Sequence, residues 1–135
     1  MRPSLLAAST LLSLAALGCG PTASELCRER VQLQCERVFE CATPEEKALP
    51  EFINVYGSTV EACETKFEAN NNCADLRERS ELCTDINAGE TDFDTGRFDE
   101  CQQALRDLNC EQFEAWFADR SNPAVVPDVC EQVCR

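Results

Sequence analysis

The cysteines constrain this chain more than any other feature of its sequence. There are 11 of them in 135 residues, which is an odd number, and there is no histidine. A cysteine content of about 8% is typical of small domains held together by disulfides. Without histidine, the chain lacks the Ser-His-Asp and Cys-His catalytic sets and any histidine ligand for zinc. An odd count also means that one cysteine has a role outside the intramolecular disulfides.

The first 18 residues have the composition of an export signal. Arg2 supplies a positive start, and the 13 residues from Leu5 to Leu17 are apolar except for three hydroxyl side chains. A helix of that length rises about 20 Å, which is too short to cross the ~30 Å hydrocarbon core of a bilayer. We therefore predict a signal peptide over 1–18 and no membrane span in this stretch.

The end of this leader, AALGC at 15–19, resembles the lipobox of bacterial lipoproteins, with Ala16 where that family usually has leucine. In the family, the cysteine thiol receives a diacylglyceryl group, the signal is cut before it, and the new amine is acylated. The resemblance implies that Cys19 is lipidated and that 19–24 form a tether. Gly20, in place of aspartate, implies sorting to the outer membrane. The alternative is an ordinary secreted protein, cut elsewhere, in which Cys19 is lost or paired.

Ten cysteines remain beyond Cys19, and an exported chain meets an oxidising compartment in which cysteines pair. A thiolate metal site is disfavoured because no C-x-x-C motif occurs and no histidine could complete a mixed ligand set. Spacing leaves the connectivity open, although antiparallel helix pairs favour nested bridges, Cys101 with Cys134 and Cys110 with Cys130. We predict five disulfides among Cys27, Cys35, Cys41, Cys63, Cys73, Cys83, Cys101, Cys110, Cys130 and Cys134.

Apolar residues recur at helical spacing through most of the remaining chain. They predict one helix over 25–42, a second over 51–68 and a shorter one over 74–83. Capping boxes that begin at Thr43 and Asn109 predict two further helix starts. Strand-type alternation is absent over any useful length. The predicted fold class is all-α, with small disulfide-rich helical hairpins or a bundle; a duplicated cysteine-stapled module is one form that it could take.

A polar stretch divides the predicted helices into two parts. Residues 87–97 contain two glycines, three acids and no apolar period, which is typical of a linker. We expect a first helical cysteine-rich module over 25–86, an acidic linker over 87–97, and a second module over 98–135.

The cysteine order also resembles that of the small cysteine-rich lipoproteins of myxobacteria and their relatives. The shared features are C-x7-C-x5-C, a Tyr-Gly pair before Cys63, Gly-x-x-x-Phe-Asp ahead of C-x3-L-x4-C, and a C-terminal cysteine pair; they span about 25–134. The resemblance implies an envelope location and a helical cysteine-rich architecture. Those proteins have no established activity, so it implies no mechanism.

The charge of the chain narrows the class of partner. The formal net charge is -13, and loss of Arg2 with the leader would make it -14. Such a charge argues against binding nucleic acid or anionic headgroups through bulk electrostatics, and it steers basic proteins or cations towards the surface. We therefore expect a basic envelope protein as a possible partner, and no nucleic acid.

Three groups of side chains are candidate sites. Oxygen ligands crowd 85–94 and make Asp85, Asp92 and Asp94 weak calcium candidates, although neither register fits the EF-hand pattern. Neighbouring acids, namely Glu45 with Glu46, Asp92 with Asp94 and Asp99 with Glu100, do not imply the defined separation of a catalytic pair, so we predict no enzyme and no cofactor. The third group is aromatic and consists of Phe113, Trp116 and Phe117. These side chains could form an exposed patch for a partner, but their helical spacing favours packing in the core.

Together these features predict a lipid-anchored, disulfide-stabilised lipoprotein of the bacterial envelope, at the outer membrane. Its role would be that of a structural or protein-interaction module. The alternative is a periplasmic lipoprotein that binds a cation or small ligand through the acidic stretch 85–94. A hydrolase that uses paired carboxylates is a third, weaker hypothesis.

Overall fold

The computed structural model describes residues 20–83, 92–120 and 122–135. These ranges contain six α-helices, two short 3-10 helices and no strand, so the prediction of an all-α, disulfide-rich fold is confirmed. The α-helices are α1 (Ala23–Cys41), α2 (Pro44–Lys47), α3 (Pro50–Tyr56), α4 (Val60–Asn70), α5 (Thr95–Asp107) and α6 (Cys110–Ala118). The 3-10 helices are Arg79–Cys83 and Cys130–Gln132.

None of these helices is long and apolar enough to cross a membrane. The predicted signal peptide 1–18, Cys19 and Asp85 lie outside the described ranges.

Helix α1 is the central element, and α4, α5 and α6 all pack against it. It starts two residues before the predicted boundary, because Thr22 and Glu25 form a capping box in which each side chain accepts the other residue's backbone N–H. Cys27, Val31 and Cys35 are buried on one side of the helix, and Leu26 and Leu33 are buried on another. α1 is therefore covered on more than one side, which a single apolar stripe does not predict.

The single helix predicted over 51–68 is wrong, because the structure divides it into α3 and α4 at Gly57. Gly57 has a φ of +83°, in the region that glycine favours, and a Cβ added there would lie 2.7 Å from the Cβ of Ala62. Thr59 then caps α4 by accepting a hydrogen bond from the Ala62 N–H at 3.2 Å. Apolar spacing continues across this turn, so spacing alone does not reveal the break.

Two other boundaries differ from the sequence-based expectation, and two agree with it. The helix predicted over 74–83 is only the 3-10 segment Arg79–Cys83. α5 already begins at Thr95, within the predicted linker, because the Asp94 side chain caps it by accepting the Arg97 N–H. The capping boxes at Thr43 and Asn109 are confirmed. Capping side chains therefore locate helix starts better than apolar spacing does.

All ten cysteines that were predicted to pair form disulfides in the structure. The nested bridges, Cys101 with Cys134 and Cys110 with Cys130, are wrong. The pairs are Cys27–Cys73, Cys35–Cys63, Cys41–Cys110, Cys83–Cys134 and Cys101–Cys130.

The nested pattern fails because the C-terminal segment does not fold back on α5 and α6 alone. Phe93 forms an antiparallel bridge with Cys134, which lies beside Cys83, while Cys110 meets the end of α1. The bridges Cys41–Cys110 and Cys83–Cys134 thus join residues on opposite sides of 87–97. The two predicted modules are covalently linked, and buried residues from both form one core cluster.

Candidate functional site

An open apolar groove lies between the C-terminal end of α1, the α2–α3 segment and α6. Its volume is about 520 Å³, within the range of roughly 300–1,000 Å³ that is usual for ligand-binding pockets. Aliphatic and aromatic side chains form most of its wall, chiefly Val38, Leu49, Phe52, Val55, Tyr56 and Phe117. We call this feature the apolar groove.

A chain of aromatic rings forms the back of the apolar groove. Phe52 packs edge-on against Phe39 at 5.3 Å and also contacts Tyr56 at 4.8 Å. Tyr56 continues to Phe67 at 5.9 Å and to Phe117 at 6.4 Å. Ring pairs at such separations contribute about 0.5–1.5 kcal/mol each beyond their buried area. Helix α3 is only seven residues long, and these contacts hold it against α1, α4 and α6.

Three aliphatic side chains in or next to α3 are exposed to solvent. Leu49 and Val55 line the apolar groove, and each is 50% exposed. Ile53 is 42% exposed but does not line the groove. Within the described ranges these are the large hydrophobic residues classed as exposed. Concentrated apolar exposure of this kind marks interaction surfaces more often than scattered single residues do.

Three carboxylates border the apolar groove, and we call them the acidic rim: Glu46, Glu51 and Glu114. No lysine or arginine is among the described residues that line the groove. The Glu46 carboxylate accepts the Thr43 backbone N–H at 2.7 Å, and this hydrogen bond lowers the pKa of Glu46. Glu46 therefore stays ionised at neutral pH, and the rim is negative.

One disulfide and one buried arginine hold α6 in position beside α1. Cys41 lines the apolar groove and bonds to Cys110, the first residue of α6; both are half-buried. The Arg37 side chain is 9% exposed, donates to the Glu40 carboxylate at 2.5 Å and to the Leu108 carbonyl at 2.5 Å, and lies 5.3 Å from the Phe113 ring centre. The groove wall thus depends on contacts between residues far apart in sequence.

The aromatic residues of α6 have two environments. Phe113 and Trp116 are buried, so the prediction of core packing is confirmed for these two. Phe117 is half-buried and lines the apolar groove. The guanidinium of Arg120 lies 4.9 Å from the Phe117 ring centre and 5.6 Å from that of Trp116. The helix therefore contributes to the core and to the groove at once.

Two of the three predicted calcium candidates, Asp92 and Asp94, lie in the described residues, and both contact Arg135. Asp92 exchanges backbone hydrogen bonds with Arg135, at 2.9 Å in each direction. The Asp94 carboxylate accepts the Arg97 N–H and pairs with the Arg135 guanidinium; the hydrogen bond from Arg97 is the main cause of its lowered pKa. In the part of the chain that the structure describes, no group of three or more Cys, Asp or Glu residues is placed to hold a metal ion.

The neighbouring acids are likewise engaged in local contacts. Glu46 belongs to the α2 capping box, Asp94 caps α5, and Glu100 pairs with Arg97 at 2.7 Å on an exposed face. These interactions use carboxylates to start and stabilise helices. Of the pairs singled out from the sequence, Asp92 and Asp94 line one open pocket, and Arg135 lines it with them.

The N-terminal end of α1 lies far from the apolar groove. The Pro21 carbonyl accepts a hydrogen bond from the Arg79 side chain at 2.9 Å, and Arg79 also donates to the Thr95 hydroxyl at 3.3 Å. These hydrogen bonds hold the residues just before α1 close to the start of α5. The 19 residues of α1 span about 28 Å, which separates this end from the groove.

The apolar groove is not apparent from the sequence patterns. Ile53 and Val55 lie within the predicted helix 51–68, and Leu49 lies just before it; their exposure depends on the break at Gly57 and on the position of α6. The one local signal is the density of aliphatic residues next to Pro50 and several acids.

Comparisons with known proteins gave no match. No protein-family model, no curated protein and no solved structure is significantly similar to this chain. The observations that bear on function are therefore the leader sequence and the apolar groove.

Proposed function

We propose that this protein is a lipid-anchored lipoprotein of the bacterial envelope that binds another protein through the apolar groove. The observation that carries the proposal is the groove itself, with half-exposed Leu49 and Val55 inside the acidic rim. An apolar surface bordered by polar residues is typical of a protein-binding site. The Cys41–Cys110 disulfide holds α6 beside α1, and the ring contacts of Phe52 and Tyr56 hold α3. A partner would therefore meet a preformed surface, and the ordering cost of binding would be small.

The lipid anchor is proposed from the leader. The sequence AALGC at 15–19 follows an apolar stretch of signal-peptide length. Modification of Cys19 with several acyl chains would supply about 0.8 kcal/mol per buried methylene, which is enough for stable anchoring where a single chain is not. Gly20 after the cysteine favours the outer membrane as the destination.

The geometry of α1 is compatible with both parts of the proposal. An anchor at Cys19 would begin beside Gly20, at the N-terminal end of α1, whereas the groove lies at its C-terminal end. The length of the helix, about 28 Å, would keep the groove away from the bilayer surface. A partner could then reach it without displacing the anchor.

The alternative, a protein that binds a cation or small ligand through 85–94, has weaker support: Asp92 and Asp94 line an open pocket, but Arg135 lines it too. Arg135 places a positive charge next to Asp94, and this would oppose a bound cation. Asp85 lies outside the described ranges.

The anchoring part of the proposal is tested by the intact mass of the protein extracted from a Gram-negative membrane. We expect loss of residues 1–18 and the added mass of a glyceride and acyl groups, and we expect Cys19→Ser to remove that mass and release the chain from the membrane fraction. An unlipidated wild-type chain would contradict the proposal.

The binding part is tested by photo-crosslinking in cells with a crosslinking amino acid at Val55 and, as the matched control, at Ile53. Both positions are exposed on α3, but only Val55 lines the groove. One identified envelope protein should be captured at Val55 and not at Ile53. Equal capture at both positions, or none at Val55, would contradict the groove as the binding surface.

A further inference from the structure

We infer that the occupant of the apolar groove is a basic amphipathic helix of the partner protein. Its apolar side chains, spaced at i, i+3 or i+4 and i+7, would fill the groove, and its lysine or arginine side chains would face the acidic rim. This inference rests on the proposed function, because it presumes that the groove binds a protein.

The first argument is the charge around the groove. Glu46, Glu51 and Glu114 border it. The guanidinium groups of Arg37 and Arg120 lie beside its aromatic residues, so the acids outnumber the cations. The carboxylates lie on α2, α3 and α6, so they surround the apolar surface rather than cluster at one point. A complementary partner therefore needs positive charge on the flanks of an apolar stripe. The formal net charge of -13 would also speed the approach of such a segment.

The second argument is the shape of the groove. Helices form most of its walls, and α3 presents Phe52 and Val55, with Leu49 directly before the helix. Phe52 and Val55 lie about 4.5 Å apart along the helix axis, which is close to one turn. A partner helix laid against this wall would place successive apolar side chains at matching intervals. An isolated small apolar molecule would cover the middle of the groove but leave the rim without counter-charges.

The other occupants fit the charge less well. A second copy of this chain would bring the same rim and the same net charge of -13, and like charges would oppose the contact. An anionic bilayer surface would be repelled for the same reason. The leader 1–18 carries one cation, Arg2, and the proposed maturation removes it.

Three synthetic peptides of about four helical turns test the inference. The first has leucine at i, i+3, i+4 and i+7 with lysine elsewhere; the second has glutamate in place of lysine; the third has the composition of the first in an order without an apolar face. Binding is measured by fluorescence anisotropy to the full lipoprotein in nanodiscs of neutral lipid, with empty nanodiscs as the blank. We expect saturable binding of the first peptide only.

Groove variants locate the binding. Leu49→Ser and Val55→Ser should each weaken binding of the basic peptide by about tenfold, because each removes an apolar contact that the partner buries. Ile53→Ser, on the same short helix but outside the groove, should change it less than about twofold. All three positions are exposed, so the variants should keep the thermal unfolding midpoint of the parent, which is the check on folding.

Rim variants test the charge. The double variant Glu51→Gln with Glu114→Gln should weaken binding several-fold and reduce its salt dependence between about 50 and 300 mM NaCl. The matched control removes two exposed acids that do not line the groove, Glu29 and Glu78, by the same Glu→Gln change; Glu78 lies near the N-terminal end of α1. We expect this control to alter binding much less, because its charges lie farther from the bound helix.

The inference is overturned if the acidic peptide binds as tightly as the basic one, if the peptide without an apolar face binds equally, if Val55→Ser has no effect, or if no peptide saturates by about 1 mM. These outcomes are separate from failure of the proposed function. A crosslink from Val55 to a partner segment that is neutral or acidic would keep the groove as a binding surface and overturn only the basic helix.

Discussion

The two sides of α1 are held by different means. On the α4 side, the disulfides Cys27–Cys73 and Cys35–Cys63 connect the helix to its neighbour, and all four cysteines are at most 1% exposed. On the α6 side, one half-buried disulfide and Arg37 make the link, and an apolar groove stays open beside them. Tight, buried crosslinks fix the helix pair. The looser side leaves apolar surface available for a partner.

The contrast shows how a small chain can expose apolar side chains and remain folded. Exposing Leu49 and Val55 forgoes the hydrophobic stabilisation that their burial would add, about 25 cal/mol for each square ångström of apolar surface. Full burial of these two half-exposed side chains would add roughly 1.5–3 kcal/mol, whereas the two buried disulfides contribute about 2–5 kcal/mol each. The α4 side therefore supplies stability that the groove side does not need to supply.

The largest expected effect is removal of a disulfide on the buried side. Cys35→Ala with Cys63→Ala should lower the free energy of unfolding by about 4 kcal/mol, because the bridge constrains the unfolded chain and its sulfurs fill the core. Urea denaturation followed by circular dichroism measures the change.

The matched control removes the half-buried bridge through Cys41→Ala with Cys110→Ala, for which we expect about 2 kcal/mol. Cys41 and Cys110 are 69 residues apart, against 28 for Cys35 and Cys63. If loop length in the unfolded chain dominated, the order of the two effects would reverse, and our comparison of the two sides would be wrong.

An intermediate effect is expected at Arg37. Arg37→Met should lower the free energy of unfolding by about 2 kcal/mol, because it leaves the Leu108 carbonyl without its charged donor and loosens α6 from α1. Arg97→Met is the control: it also removes an i,i+3 pair with a glutamate, but that arginine is 42% exposed, so we expect less than about 0.5 kcal/mol. Equal losses in chemical denaturation would show that Arg37 has no special role in the groove wall.

The smallest expected effect concerns charge on the α4 side. Burial raises the pKa of Glu64, and the nearby carboxylates of Glu36, Glu61 and Glu68 add to the shift. A raised pKa in the folded state favours the protonated form, so its stabilisation is present at low pH and is lost as pH rises through the folded-state pKa. Glu64→Gln should therefore raise the free energy of unfolding at pH 7 by less than about 0.5 kcal/mol, and the gain should vanish below the unfolded pKa of about 4.3.

Glu61 provides a control of opposite sign on the same helix. Hydrogen bonds from its own backbone N–H and from the Thr59 side chain lower the pKa of Glu61, so its stabilisation is present above the unfolded pKa and is lost as pH falls. Glu61→Gln should slightly lower stability at pH 7. Thermal unfolding of both variants between pH 3 and 7 (roughly the range in which glutamate titrates) distinguishes the two; a shift of the same sign for both would contradict the assigned causes.

Short-range features of the fold were predictable from the sequence, and long-range ones were not. The capping boxes at Thr43 and Asn109 involve residues three apart, so the residue types alone identify them. The all-α class follows from apolar spacing. Arg37 looks like an ordinary charged residue of a helix, because its partner, the Leu108 carbonyl, is 71 residues away.

The disulfide pattern and the groove depend on how the helices meet. The cysteine count predicts that ten residues pair, but the partner of Cys134 is set by the backbone bridge to Phe93, which the sequence does not indicate. The groove needs the turn at Gly57 to separate α3 from α4 and the link to α6 to supply its other wall. Each is a property of tertiary packing rather than of any one segment.

The Cys41–Cys110 disulfide gives the groove a chemical reporter. Because Cys41 lines the groove and is half-buried, a thiol reductant can approach this bridge, whereas a molecule seated in the groove would block that approach. A bound partner should therefore slow the reduction of the Cys41–Cys110 disulfide. The rate of that reduction measures the fraction of molecules whose groove is occupied.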